Sequence, residues 1–84
     1  MKLNGKIVVV TGGGSGIGQE LVIALLARGA RVAAVDLRMD GLKETETRAN
    51  AGDRLSLHEA NIADRDAVMA LPDEIETAHG AIDA

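Results

Sequence analysis

Eighty-four residues with a net charge of −4, no Phe, Trp or Tyr and no Cys set narrow limits. The length is that of one small domain or part of one. No phenol is available for acid, base or hydride-transfer chemistry, and the missing thiols exclude a disulfide framework, an iron–sulfur cluster and a thiolate zinc site.

Leu, Ile and Val make up about a quarter of the chain, above the ~20% level associated with disorder. Acidic and basic residues are interspersed, so no basic surface points to nucleic acid or membrane. The first apolar run, residues 7–10, is too short for the apolar segment of a signal peptide. No stretch approaches the ~18 apolar residues of a membrane span. A cytoplasmic chain is the expectation.

Residues 6–11 (Lys-Ile-Val-Val-Val-Thr) form a β-branched run closed by glycines, the pattern of a strand covered on both faces. Residues 16–28 predict a helix in which Ile17, Leu21, Ala24, Leu25 and Arg28 share the inward face, with Gly29 as the stop. Residues 31–36 predict a second buried strand ending on Asp36. Residues 40–50 are polar, with Leu42 their only large apolar residue, and predict a second helix. Residues 54–60 alternate, with Leu55 and Leu57 on one face and His58 on the polar face, as in an edge strand.

Residues 64–79 predict a third helix. Val68, Leu71, Ile75 and Ala78 form its apolar stripe, Asp64 caps its start and Gly80 ends it. Pro72 is expected to kink this helix or delay its start. Ala81-Ile82-Asp83-Ala84 resembles the approach to a further strand.

The β-α-β-α-β-α order predicts an α/β fold: a Rossmann-like half of a doubly wound parallel sheet, three strands with helices on both faces. No repeat or linker marks a second domain.

Residues 11–18 (Thr-Gly-Gly-Gly-Ser-Gly-Ile-Gly) lie where the first strand hands over to the first helix, with five glycines in the last seven positions. Glycines let backbone approach a ligand, and the free N–H groups of a first helical turn favour phosphate. A P-loop requires Lys after the glycine at 18, where Gln19 and Glu20 follow. The G-x-G-x-x-G fingerprint fails at Ile17. A half that binds S-adenosylmethionine would call for an acidic residue just before the glycines, where Thr11 stands. What remains is G-x-x-x-G-x-G at Gly12, Gly16 and Gly18.

Preceded by Thr11, and with Asp36 closing the second strand, this pattern resembles the short-chain dehydrogenase/reductase family and its T-G-x-x-x-G-[IL]-G motif. The resemblance runs over essentially the whole chain, continuing through Asn61-Ile62 and Gly80-Ala81-Ile82-Asp83. It implies that Gly12, Ser15, Gly16, Ile17 and Gly18 line the adenosine and pyrophosphate of a nicotinamide dinucleotide. Asp36, 18 residues past Gly18, can accept both ribose hydroxyls and would repel a 2′-phosphate, which favours NAD over NADP. Arg38 is the one residue nearby that argues for NADP, and it reads more simply as a solvated arginine opening a helix. Asn61 stands where the family usually carries Asp. Its amide can accept from and donate to adenine, and Ile62 completes that subsite.

The family's chemistry is hydride transfer between nicotinamide and an alcohol or ketone through a Ser-Tyr-Lys set. No Tyr is present, so no catalytic residue is assigned, and neither His58 nor His79 is expected to assemble a catalytic or metal site. The expectation is therefore the N-terminal, NAD-binding segment (residues 1–84) of such an oxidoreductase, cut before the fourth strand and without the catalytic part. The alternative is a stand-alone, non-enzymatic nucleotide-binding module completed by a partner chain. With strand order 3-2-1-4, the first strand is left as an exposed edge, and self-association through it is expected. A homo-oligomer is expected if these residues belong to a longer chain.

Overall fold

The computed structural model describes residues 4–80. The chain runs β1 (Ile7–Thr11), α1 (Gly16–Ala27), β2 (Arg31–Asp36), α2 (Met39–Ala49), a 3-10 turn (Gly52–Arg54), β3 (Leu55–Glu59) and α3 (Arg65–His79). The three strands pair in parallel in the order β1-β2-β3. Val9 lies opposite Ala33, and Ala34 opposite Leu57. The expected approach to a further strand at Ala81–Ala84 lies outside the described residues.

Alternation along the central strand divides the core. Val32 and Ala34 of β2 join Val10, Val22, Leu26, Ala30, Leu42 and Leu55 under α1 and α2. Ala33 and Val35 face the other way and join Ile7, Ala60, Leu71 and Ile75 under α3. Helices therefore cover both faces of the sheet, α1 and α2 on one and α3 on the other.

Three expectations are corrected. The inward face of α1 is Gln19, Val22 and Leu26, whereas Ile17 is 89% and Leu21 48% exposed. The helix is apolar around most of its circumference, so spacing alone carries little contrast. Helix α3 starts directly after its Asp64 cap, whose carboxylate accepts from the N–H groups of Asp66 and Ala67. Pro72 therefore does not delay it. The proline ring lies on the exposed side, and its buried stripe is Leu71, Ile75 and His79.

His58 is buried, not solvated. Ser56 and His58 face α3, and the Ser56 hydroxyl lies 2.7 Å from both His58 Nε2 and His79 Nε2. His58 Nδ1 meets Glu74 Oε1 at 3.2 Å. A carboxylate can only accept here, so His58 carries its proton on Nδ1 and accepts from Ser56 through Nε2. Ser56 then accepts in turn from His79 Nε2–H, which leaves His79 Nδ1 as a bare acceptor, the atom that finds no partner among the described residues. The two histidines thus share one serine and join β3 to α3. Among the described residues they form no metal-binding group.

Candidate functional site: the glycine loop at the carboxyl ends of the strands

The residues singled out by sequence converge on one end of the sheet. Residues 12–15 leave β1 and enter α1, Asp36 ends β2, and Asn61 and Ile62 follow β3. This is the edge at which open parallel sheets bind ligands. The described residues enclose no pocket there, so the arrangement is an open shelf.

Each glycine in the loop has its own cause. A Cβ on Gly18 would collide with the Gly12 carbonyl, and one on Gly13 would sit 2.8 Å from Ala34 Cβ. A Cβ on Gly14 would lie 2.9 Å from the backbone of Gly41 and Leu42. Gly12 has φ +74°, a conformation that side chains resist. Gly16 differs: a Cβ there would meet nothing within 4 Å. Packing does not require a glycine at that position, which is the first residue of α1.

The first turn of α1 is free to receive an anion. Ser15 occupies the cap position but makes no capping bond; its hydroxyl donates back to the Gly12 carbonyl at 3.0 Å. The N–H groups of Gly16, Ile17 and Gly18 therefore keep the partner-free character of a helix start, with the positive end of the helix dipole behind them. No acidic residue lies in that turn. Glu20, one turn further on, pairs with Arg48 at 2.8 Å. Its hydrogen bond, and then its charge, raise the arginine above its ordinary pKa.

Asp36 is half-buried and firmly oriented. Its Oδ2 accepts from Gly14 N–H at 2.9 Å and its Oδ1 from Leu37 N–H at 2.7 Å. A carboxylate offers about four acceptor positions, so two remain for other donors. Arg38 is solvent-exposed and lies 3.8 Å from Asp40. Asn61 uses its carbonyl oxygen locally, accepting from Ala63 N–H at 2.9 Å, which leaves its NH₂ group as the part able to reach a base. Ile62 and Leu37 are 56% and 60% exposed, apolar side chains at the same sheet end.

Several contributors escape sequence reasoning. Leu37 looks like an ordinary turn residue. Gln19, Gly41, Thr45 and Arg48 support the loop from below, through contacts 22 to 32 residues apart in sequence. A glycine in the first turn of an otherwise polar helix was the one available signal.

Comparison with known proteins places these features in a family. The short-chain dehydrogenase profile matches residues 6–84. D-threitol dehydrogenase of Mycolicibacterium smegmatis is 38% identical over 85 aligned positions, 98% of this chain and 32% of that protein. The 2,5-dichloro-2,5-cyclohexadiene-1,4-diol dehydrogenase of Sphingobium indicum is 40% identical over 81 positions, 96% of this chain and 32% of that one. A citronellol catabolism dehydrogenase of Pseudomonas aeruginosa superposes with a TM-score of 0.88 at 34% identity, covering 96% of this chain and 34% of its own. A metagenomic short-chain oxidoreductase solved in complex with NADP gives 0.87 at 30% identity, covering 100% and 38%. The chain spans about a third of the length of the curated relatives it matches.

Proposed function

The chain belongs to the short-chain dehydrogenase family, and from that premise we propose that it is the N-terminal segment of an oxidoreductase and binds the adenosine and pyrophosphate of NAD. The family uses nicotinamide dinucleotides. When bound, the nicotinamide exchanges a hydride with the substrate. With no Tyr in the sequence, the part these residues play is to hold and orient the dinucleotide.

Gly12, Ser15, Gly16, Ile17 and Gly18 would receive the pyrophosphate, through main-chain N–H groups and the helix dipole. The ribose hydroxyls donate to Asp36, while Asn61 donates to a ring nitrogen of adenine and Ile62 and Leu37 offer apolar contact. The observation that carries this reading is the Asp36 carboxylate, fixed beside the glycine loop by Gly14 N–H at 2.9 Å.

The same carboxylate supports NAD over NADP. A 2′-phosphate would meet a negative charge, and Arg38 is engaged with Asp40 on the exposed side. Isothermal titration of the chain with NAD and NADP tests this. NAD should bind at least tenfold more tightly, and Asp36→Ala should erase the difference. An Asp36→Ala variant that keeps the preference would overturn the ribose assignment. Among the described residues no helix is long and apolar enough to cross a membrane.

A further inference from the structure

The glycine loop does not hold its own shape. Residues 12–15 contain three glycines, whose peptides turn over cheaply, and yet every carbonyl in this stretch is held by a hydrogen-bond donor. The Gly12 carbonyl accepts from Ser15 N–H at 3.1 Å, and the Ser15 carbonyl accepts from Gln19 N–H. The Gly13 carbonyl accepts from the Thr45 hydroxyl at 2.7 Å. The Gly14 carbonyl accepts from the Gln19 side-chain amide at 3.2 Å.

The last two contacts depend on α2. Thr45 is fully buried and shares its single hydrogen between Gly13 and the Gly41 carbonyl, 3.0 Å away in its own helix. Gln19 is 5% exposed, and its NH₂ group spans the Gly14 and Gly41 carbonyls, both at 3.2 Å. Arg48 donates to Gln19 Oε1 at 3.0 Å, which fixes which end of the amide faces the loop. Gly41 permits the approach, because a Cβ there would run into the Gly14 carbonyl.

The peptide between Gly13 and Gly14 is gripped at both ends: its carbonyl by Thr45 and its N–H by Asp36. Were that peptide to turn over, its carbonyl oxygen would face the Asp36 carboxylate in place of the Gly14 N–H and drive away the carboxylate that would meet the ribose. An oxygen dipole facing a carboxylate is repulsive, and the Thr45 hydroxyl would keep only its longer bond to the Gly41 carbonyl.

We propose that α2 acts as a brace for nucleotide binding, with its Thr45 and Arg48, and Gln19 of α1 held between them, as positioning residues that fix the Gly13 and Gly14 carbonyls. This rests on the nucleotide-binding reading above, which gives the loop's geometry its consequence. None of the three needs to touch the nucleotide.

The test uses the 84-residue chain, with Thr45→Val, which keeps the shape but removes the hydroxyl, and Thr45→Ser, which restores it. Amide hydrogen exchange without nucleotide reads the brace directly. Thr45→Val should speed exchange at Gly14 about tenfold while Val10, Val32 and Ala34 keep their protection, and Thr45→Ser should return Gly14 to the parent rate. Titration with NAD should then show about tenfold weaker binding in Thr45→Val and recovery in Thr45→Ser. Unchanged exchange at Gly14, or a rise shared by the whole sheet, overturns the brace. So does faster exchange at Gly14 with NAD affinity within twofold of the parent. A parent chain that binds no NAD would instead count against the nucleotide-binding reading, and the exchange rates would still decide whether α2 holds the loop.

Discussion

Two glycines two residues apart separate the demands of folding from those of ligand binding. Gly14 is wedged against Gly41, and a methyl there would lie 2.9 Å from backbone atoms that have no room to yield. Gly14→Ala should therefore lower stability by about 1–3 kcal/mol, the usual cost of overpacking. At Gly16 a methyl meets open space and replaces glycine at the first position of a helix, where the gain is a fraction of the roughly 0.5–1 kcal/mol seen in helix interiors. Gly16→Ala should melt slightly higher than the parent and bind NAD more weakly, since the methyl occupies the approach to the free N–H groups. Thermal unfolding and NAD titration of the two variants check both signs. The glycine spacing and Asp36 were legible in the sequence because each acts through backbone conformation or charge at a fixed distance from the loop. Gly41, Thr45 and Gln19 were not, because their partners are set by how α2 crosses the loop, and a lone buried Gln or Thr looks like any other polar helix residue. Asn61 was legible as a position, but its carbonyl proved to be committed to Ala63.

Among the elements, β2 was predicted at its observed bounds because a continuous apolar strand flanked by turn residues leaves little choice. Helix α1 shows the opposite case. Its length was legible, but its inward face was not, because apolar residues ring the helix and the polar Gln19 is the buried one. Leu26→Ala should cost about 2–5 kcal/mol, as for other buried leucines, and Leu21→Ala, at a half-exposed site, well under half of that. Chemical denaturation of the two variants distinguishes the faces. Strand β3 misled for a related reason: its serine and histidine looked like a solvent face, whereas they satisfy one another beneath α3. That cluster makes the docking of α3 sensitive to pH. Burial lowers the pKa of His79 below its ordinary value, assisted by Arg31 and by His58 and opposed by the Val32 carbonyl and Asp53. Glu74 is the other charged group at the cluster, on His58. A lowered folded-state pKa means that the neutral imidazole is the stabilised form. This stability is present above the unfolded value of ~6.5 and is lost as the pH falls through it toward the folded value. The melting temperature should drop between pH 7.5 and 5.5, and His79→Gln, which keeps a donor toward Ser56 without titrating, should flatten that slope. An equal slope in both proteins would show that His79 is not the source.

For the molecule as a whole, β1 lies at one end of the described sheet, paired with β2. Half-buried Val8 and Val9 on that strand and exposed Ile17 and Leu21 on α1 leave apolar surface that the described residues do not cover. The 84-residue chain should self-associate, with sedimentation equilibrium giving a mass that rises with concentration. A monomer mass across the range would contradict this. The layered α/β architecture follows from the alternating pattern of apolar runs, and the family follows from the glycine loop with Asp36. Nucleotide binding by these residues is the central claim, and amide chemical-shift mapping with AMP tests it most directly. Saturable shifts at residues 12–18, Asp36, Leu37, Asn61 and Ile62 are the predicted result. Shifts confined to α3, or none at millimolar AMP, would contradict it.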